Sequence, residues 1–142
     1  MKQFEEFVEN GTVKKQTPNT KRALSVFKEA SRKKEYLELS IKSIPKEKMS
    51  PNFIADYCYD IIMEIVRAKM FIEGYNSGSS HEAEVSYMKL IGFQEQEVEF
   101  MDELRYYRNG TKYYGTILEM QYAEKTLTFL RKVYPRLKKL LD

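Results

Sequence analysis

Between Asp102 and Gly115 the chain reads Asp-Glu-Leu-Arg-Tyr-Tyr-Arg-Asn-Gly-Thr-Lys-Tyr-Tyr-Gly. Two arginines, one lysine, one asparagine and four tyrosines crowd into this stretch. Each residue type suits a phosphate-bearing ligand. The planar forks of Arg105 and Arg108 match phosphate oxygens, and Lys112 adds a point charge. The rings of Tyr106, Tyr107, Tyr113 and Tyr114 can stack on bases, and their hydroxyls can donate. Asn109 can bond a base edge or cap a helix end. The same residues also have a plain structural use, because Asn-Gly is a turn signal and tyrosines pack. The spacing predicts a tight break at Asn109-Gly110, with the arginine, amide and phenol groups gathered around one open recess.

Other chemistries are excluded or weak. Cys58 is the only cysteine and His81 the only histidine. One cysteine cannot form an intramolecular disulfide, and the pair cannot build a Cys/His zinc site within one chain. A Ser-His-Asp triad would have to use His81, and no nucleophile motif accompanies it. No metal and no cofactor are expected. His81 sits at a predicted helix start, where it is either a capping-turn residue or, in a helical hairpin, a neighbour of residues 108–114.

The segment Arg-Asn-Gly-Thr-Lys-Tyr-Tyr-Gly, after the helix Asp-Glu-Leu-Arg-Tyr-Tyr-Arg, resembles the signature region of the HEPN superfamily (higher eukaryotes and prokaryotes nucleotide-binding domains). The upstream run Gly74-Tyr75 to Gly92, with its serine-rich turn and Ser-His-Glu cap, is similar to the family's second-helix exit. The likeness covers roughly residues 17–141. It implies a small helical bundle, homodimers with the signature segments facing each other, and nucleotide or RNA binding. Many relatives of this kind are metal-independent ribonucleases partnered by a nucleotidyltransferase in toxin–antitoxin pairs. Their signature is Arg, a polar residue, a few more residues, then His. Arg108 and Asn109 match its first two positions, and Tyr113 or Tyr114 stands where the His would be. A phenol with a pKa of about 10 is a poor general base near neutral pH. The resemblance therefore implies a binding domain with degenerate or absent ribonuclease activity, using Arg105, Arg108, Asn109, Lys112, Tyr113 and Tyr114. Two alternatives remain open. One is a protein-interaction module partnering a nucleotidyltransferase. The other is an active ribonuclease in which Arg108 works with Tyr113, Tyr114 or His81.

Helices must position these groups. The chain has 142 residues, 42% hydrophobic and 32% charged, which suits one soluble domain. Residues 1–16 read as a lead whose Phe4, Phe7 and Val8 form a short apolar stripe; residues 17–142 read as one helical domain. Thr17-Pro18 and Ser50-Pro51 are helix starts, and Pro45 and Gly74 are ends. Ser79 with Glu82 predicts a capping box for a short helix that Gly92 closes. A helix over Gln94–Arg108 follows, and Thr116–Glu119 predicts a second capping box opening the last helix, which Pro135 bends or ends. The expected fold is an all-α antiparallel bundle of four to five helices.

Charge is unevenly spread. Residues 12–48 hold 11 Lys/Arg against 4 Glu, residues 82–103 hold one Lys against 7 acids, and residues 104–142 hold 9 Lys/Arg against 3 acids. These are either helix faces pairing with one another or a basic surface for phosphates. No apolar run reaches 18 residues and the N-terminus is acidic, so no membrane span or signal peptide is expected and the default location is the cytoplasm.

Overall fold

The helix Pro51–Glu73 carries the densest apolar pattern of the chain, and the rest of the molecule is built on it. In the computed structural model, which describes residues 1–142, the order is α1 (Phe4–Glu9), β1 (Lys14–Lys15), α2 (Thr20–Ser43), a 3-10 turn (Lys46–Lys48), α3 (Pro51–Glu73), β2 (Tyr75–Asn76), α4 (His81–Tyr87), α5 (Glu95–Tyr113) and α6 (Met120–Lys139). The architecture is the expected all-α bundle, with α2, α3, α5 and α6 as its long members.

The start of α3 is set by its sequence. The Ser50 hydroxyl accepts the Phe53 N–H and Pro51 occupies the first turn, where a missing N–H costs nothing. Ile54, Cys58, Ile61, Ile62, Ile65 and Val66 are buried on it. It ends at Gly74 in the left-handed conformation (φ 82°), whose N–H returns to the Met70 and Phe71 carbonyls.

α2 and α6 both pack on α3 and run antiparallel to each other, linked by side-chain bridges. Ser31 meets Tyr134 at 2.8 Å, Glu38 meets Arg131 at 2.6 Å and Lys46 meets Glu124 at 3.1 Å. α2 is capped by Asn19 rather than Thr17, the Asn19 Oδ1 accepting the Arg22 N–H at 3.0 Å. Thr17-Pro18 stays outside the helix because the segment before it is tied to the end of α3, through Gln16 N–H to the Gly74 carbonyl and Asn19 N–H to the Phe71 carbonyl. Residues 1–16 share the main core: Phe4, Phe7 and Val13 are buried in it. Phe4 packs on Tyr75 and Tyr87, and β1 pairs antiparallel with β2.

Three local expectations are corrected, and of the two outcomes expected at Pro135 one is excluded. The cap of α4 is Ser80, which accepts the Ala83 N–H; Ser79 instead takes a positive φ of 82° in the preceding turn. α5 does not break at Asn109-Gly110 but runs on to Tyr113, and the break falls at Gly115 (φ 69°). No strands flank Asn109-Gly110 to favour a hairpin turn, and side-chain bonds from α3 to Arg108 and Thr111 hold this stretch helical. The capping box at Thr116–Glu119 does not form; the Thr116 N–H bonds the Gly110 carbonyl, and α6 starts behind Glu119 without a side-chain cap. Pro135 lies inside α6 without ending it, with Val133 and Leu137 buried on either side. No helix is long and apolar enough to cross a membrane.

Candidate functional site

One edge of α3 carries polar side chains at helical steps: Asn52, Asp56, Tyr59, Asp60, Glu64 and Arg67. Steps of three and four place them on one face. Together they grip α2, α4, α5 and the loop before α6. Asn52 brackets the loop before α6, donating to the Thr116 carbonyl and accepting the Leu118 N–H, both at 2.8 Å. Asp56 accepts the Thr111 hydroxyl at 2.9 Å. One oxygen of Asp60 accepts from Nε of Arg108 at 3.0 Å and lies 2.9 Å from its Nη2. Glu64 pairs with Lys33 of α2. Arg67 forks onto the buried carboxylate of Glu84 at 2.6 and 3.0 Å, and the Ser77 hydroxyl donates to the same group at 2.7 Å.

This file fixes the rotation of α5. With 3.6 residues per turn, Arg105, Arg108 and Lys112 share the flank toward α3 and α4. Arg108 is largely covered there, its guanidinium lying over the Tyr59 ring at 5.5 Å. Arg105 is held by Asp102 through Nε and Nη2, both at 2.9 Å. Lys112 is exposed, with Nζ 5.5 Å from the Tyr113 ring.

The tyrosines take a different side. Tyr106, Tyr107, Asn109, Gly110, Tyr113, Tyr114 and Thr116 line an open concavity of about 720 Å³. Tyr106 is 72% exposed, Tyr113 66% and Tyr114 83%. Tyr107 is partly buried against Tyr106 and Tyr122. The single recess expected from the sequence is thus two neighbouring surfaces, one cationic and one aromatic, separated by the crest of α5. The reason is the unbroken helix: a turn at Asn109-Gly110 would have let the groups converge, whereas a helix spreads consecutive residues 100° apart.

His81 comes close to the cationic surface from α4. Its Nδ1 is 2.9 Å from the Tyr59 hydroxyl, and the two rings are nearly parallel (7°) with centroids 5.7 Å apart. Burial depresses its affinity for a proton; Arg67 and Arg108 act the same way, while Glu84 and Asp60 oppose them. Burial raises the Tyr59 phenol well above its ordinary range, so it stays protonated at neutral pH. Burial also raises Asp56, against the hydrogen bond from Thr111 and the pull of Arg108. No group of three or more His, Cys, Asp or Glu side chains is arranged to hold a metal ion. Cys58 is buried in the core, where desolvation pushes its thiol up to about 12 and leaves it unreactive.

The sequence reading missed Asp56, Tyr59, Asp60, Arg67 and Glu84. The available signal was the step of four between Asp56, Asp60 and Glu64 inside an otherwise apolar helix. The two basic segments do lie side by side, in α2 and α6, but many of their cations are engaged: Lys34 and Arg131 on Glu38, Lys46 on Glu124, Arg136 on Glu97.

Comparison with family models, curated proteins and solved structures finds no match to this chain.

Proposed function

We propose that the chain is a HEPN-type nucleotide- or RNA-binding helical domain that acts as a homodimer and has degenerate or absent ribonuclease activity. The observation that carries the reading is the pairing of an open tyrosine surface with an adjacent row of cations on one helix. Tyr106, Tyr113 and Tyr114 offer ring faces to solvent, and Asn109 sits among them with free donor and acceptor capacity. Arg105, Arg108 and Lys112 follow on the next flank. Aromatic stacking contributes about 1–3 kcal/mol per base and tolerates any sequence. Cation–phosphate contacts add an affinity that falls steeply with salt.

The crest between the two surfaces selects the ligand. A helix with its side chains is about 10–12 Å across. A strand of several nucleotides can lay several bases on one flank and phosphates on the other, whereas a mononucleotide bridges the two only where they adjoin, as at Tyr113 and Lys112. The fitting ligand is a short single strand. Titration of the protein with single-stranded RNA of increasing length, followed by fluorescence anisotropy, tests this. The expected result is affinity that grows with length, weakens with salt and drops in Tyr113→Ala and Tyr114→Ala. Absence of binding at low salt would sink the reading.

A second reading draws on Ile117 and Tyr114, both 83% exposed beside the same concavity. Exposed apolar and tyrosine side chains suit a protein interface, and the partner would be a nucleotidyltransferase. Loss of a co-purifying protein in Ile117→Asp, with RNA binding unchanged, would favour it.

A further inference from the structure

The buried Tyr59 hydroxyl has one hydrogen to place and His81 Nδ1 as its hydrogen-bond partner. If His81 carried its proton on Nδ1, that hydrogen would have no acceptor, at a cost of about 1–3 kcal/mol for a buried group. The favoured arrangement has Tyr59 donating to Nδ1, which leaves the imidazole proton on Nε2. Nε2 has no partner within the protein and is not sealed from solvent. Arg108 is in the same position: Asp60 engages its Nε and Nη2, while Nη1 is unpartnered and reachable. Tyr59 lies between them, with the imidazole bonded to its hydroxyl and the guanidinium over its ring.

We infer that His81 is a second anion contact of the Arg108 surface, its Nε2–H and the free Nη1 of Arg108 taking the same phosphate group. This rests on the nucleotide-binding reading above and names the groups that would hold the phosphate. The phosphate belongs either to an RNA strand or to a free nucleotide. Tyr59 is a positioning residue: it sets the tautomer without touching the ligand. The groups facing the imidazole are Tyr59, Asp60, Glu84, Arg67 and Arg108. A phosphate joining them makes the site more negative and stabilises imidazolium. By linkage, binding then raises the pH at which His81 takes its proton above that of the free protein, against the loss of Nδ1 as the acceptor for Tyr59, and acidification through that range strengthens binding.

Because His81 is the sole histidine, its imidazole nitrogens give one set of NMR signals. The test follows those signals during titration with a single-stranded RNA oligonucleotide and, separately, with ATP, alongside affinities of wild type, His81→Ala and Arg108→Ala. The expected results are an Nε2–H tautomer in the free protein, movement of Nε2 and an upward-shifted titration on binding. Affinity should fall about tenfold or more in His81→Ala, the scale of one charge-assisted hydrogen bond, and further in Arg108→Ala. The arm that moves the signals, RNA or ATP, identifies the source of the phosphate. Binding lost in Arg108→Ala but intact in His81→Ala, with unmoved imidazole signals, overturns the inference and leaves the RNA-binding reading standing. No binding of either probe by wild type overturns both. If His81→Ala fails to fold, the wild-type tautomer still decides, because a proton on Nδ1 would leave Nε2 nothing to donate.

Discussion

Arg108 and Asp60, 48 residues apart in sequence, meet as one fork on one oxygen: Nε at 3.0 Å and Nη2 at 2.9 Å from Asp60 Oδ1. This bond orients α5 on α3 and also sets an internal anion against any phosphate that Arg108 contacts. Asp60→Asn keeps the shape and an acceptor while removing the charge. The expected outcome is single-stranded RNA binding strengthened about two- to fivefold, since a partly exposed pair contributes about 0.2–1 kcal/mol. Stability should fall by a similar amount. Anisotropy and urea melts read the two effects. Weaker RNA binding in a folded Asp60→Asn protein would argue that Asp60 serves the ligand rather than competing with it.

The Arg67–Glu84 pair has a different meaning. Glu84 is fully buried, and its carboxylate depends on Arg67 and Ser77 for all of its hydrogen bonds. Arg67→Met fills similar space but leaves a charge without a cation, which costs about 3–5 kcal/mol. Denaturant unfolding should show that loss, and the double change Arg67→Met with Glu84→Gln should recover much of it. A single variant as stable as wild type would mean the carboxylate finds water or another partner.

How far the sequence led can be judged from these residues. The bundle, the Ser50-Pro51 start and the Gly74 end follow from periodicity and local chemistry, and all three are present. Ser80 displaced Ser79 as a cap because Ser79 was needed in a left-handed turn, a demand the sequence does not display. Asn109-Gly110 read as a break because the pair's local preference was visible and its tertiary restraints, Asp60 on Arg108 and Asp56 on Thr111, were not. That one difference rotated Asn109 and the tyrosines away from the arginines. His81 was visible as a helix start and as a possible neighbour of residues 108–114, but its link to Tyr59 was not, since that bond spans 22 residues and two helices.

Gly74 combines a backbone demand with a steric one. Its φ of 82° suits glycine, and an added Cβ would stand 2.6 Å from the Gln16 carbonyl oxygen. That oxygen belongs to backbone pinned by the Gln16 N–H to Gly74 carbonyl bond, at 2.8 Å, so it cannot simply swing away. Gly74→Ala should therefore destabilise by about 2 kcal/mol or more, beyond the roughly 1 kcal/mol of the left-handed conformation alone. Hydrogen exchange should show the loss concentrated at β1, β2 and the end of α3. A melting temperature unchanged from wild type would contradict the close approach.

The pH dependence of stability near neutrality should come from His81. In the unfolded chain it takes a proton near its ordinary pKa of 6.5, while in the folded chain burial delays protonation to lower pH. Between those two points the unfolded state binds more protons, so stability falls as pH drops below about 6.5 and levels off once the folded imidazole is also charged. Carboxylates do not confuse this window: Glu38, held down by the Arg131 hydrogen bond, and Glu97, lowered by Arg136 against the cost of its burial, titrate below their ordinary 4.5. Asp56, raised by burial, acts in the opposite sense, losing stability as pH rises from 3.8 through its folded value, and does so equally in wild type and in a His81 variant. Urea midpoints for wild type should therefore decline between about pH 7 and 5, and those for His81→Gln should stay nearly flat. Equal slopes in the two proteins would show that the imidazole is not held neutral by the fold.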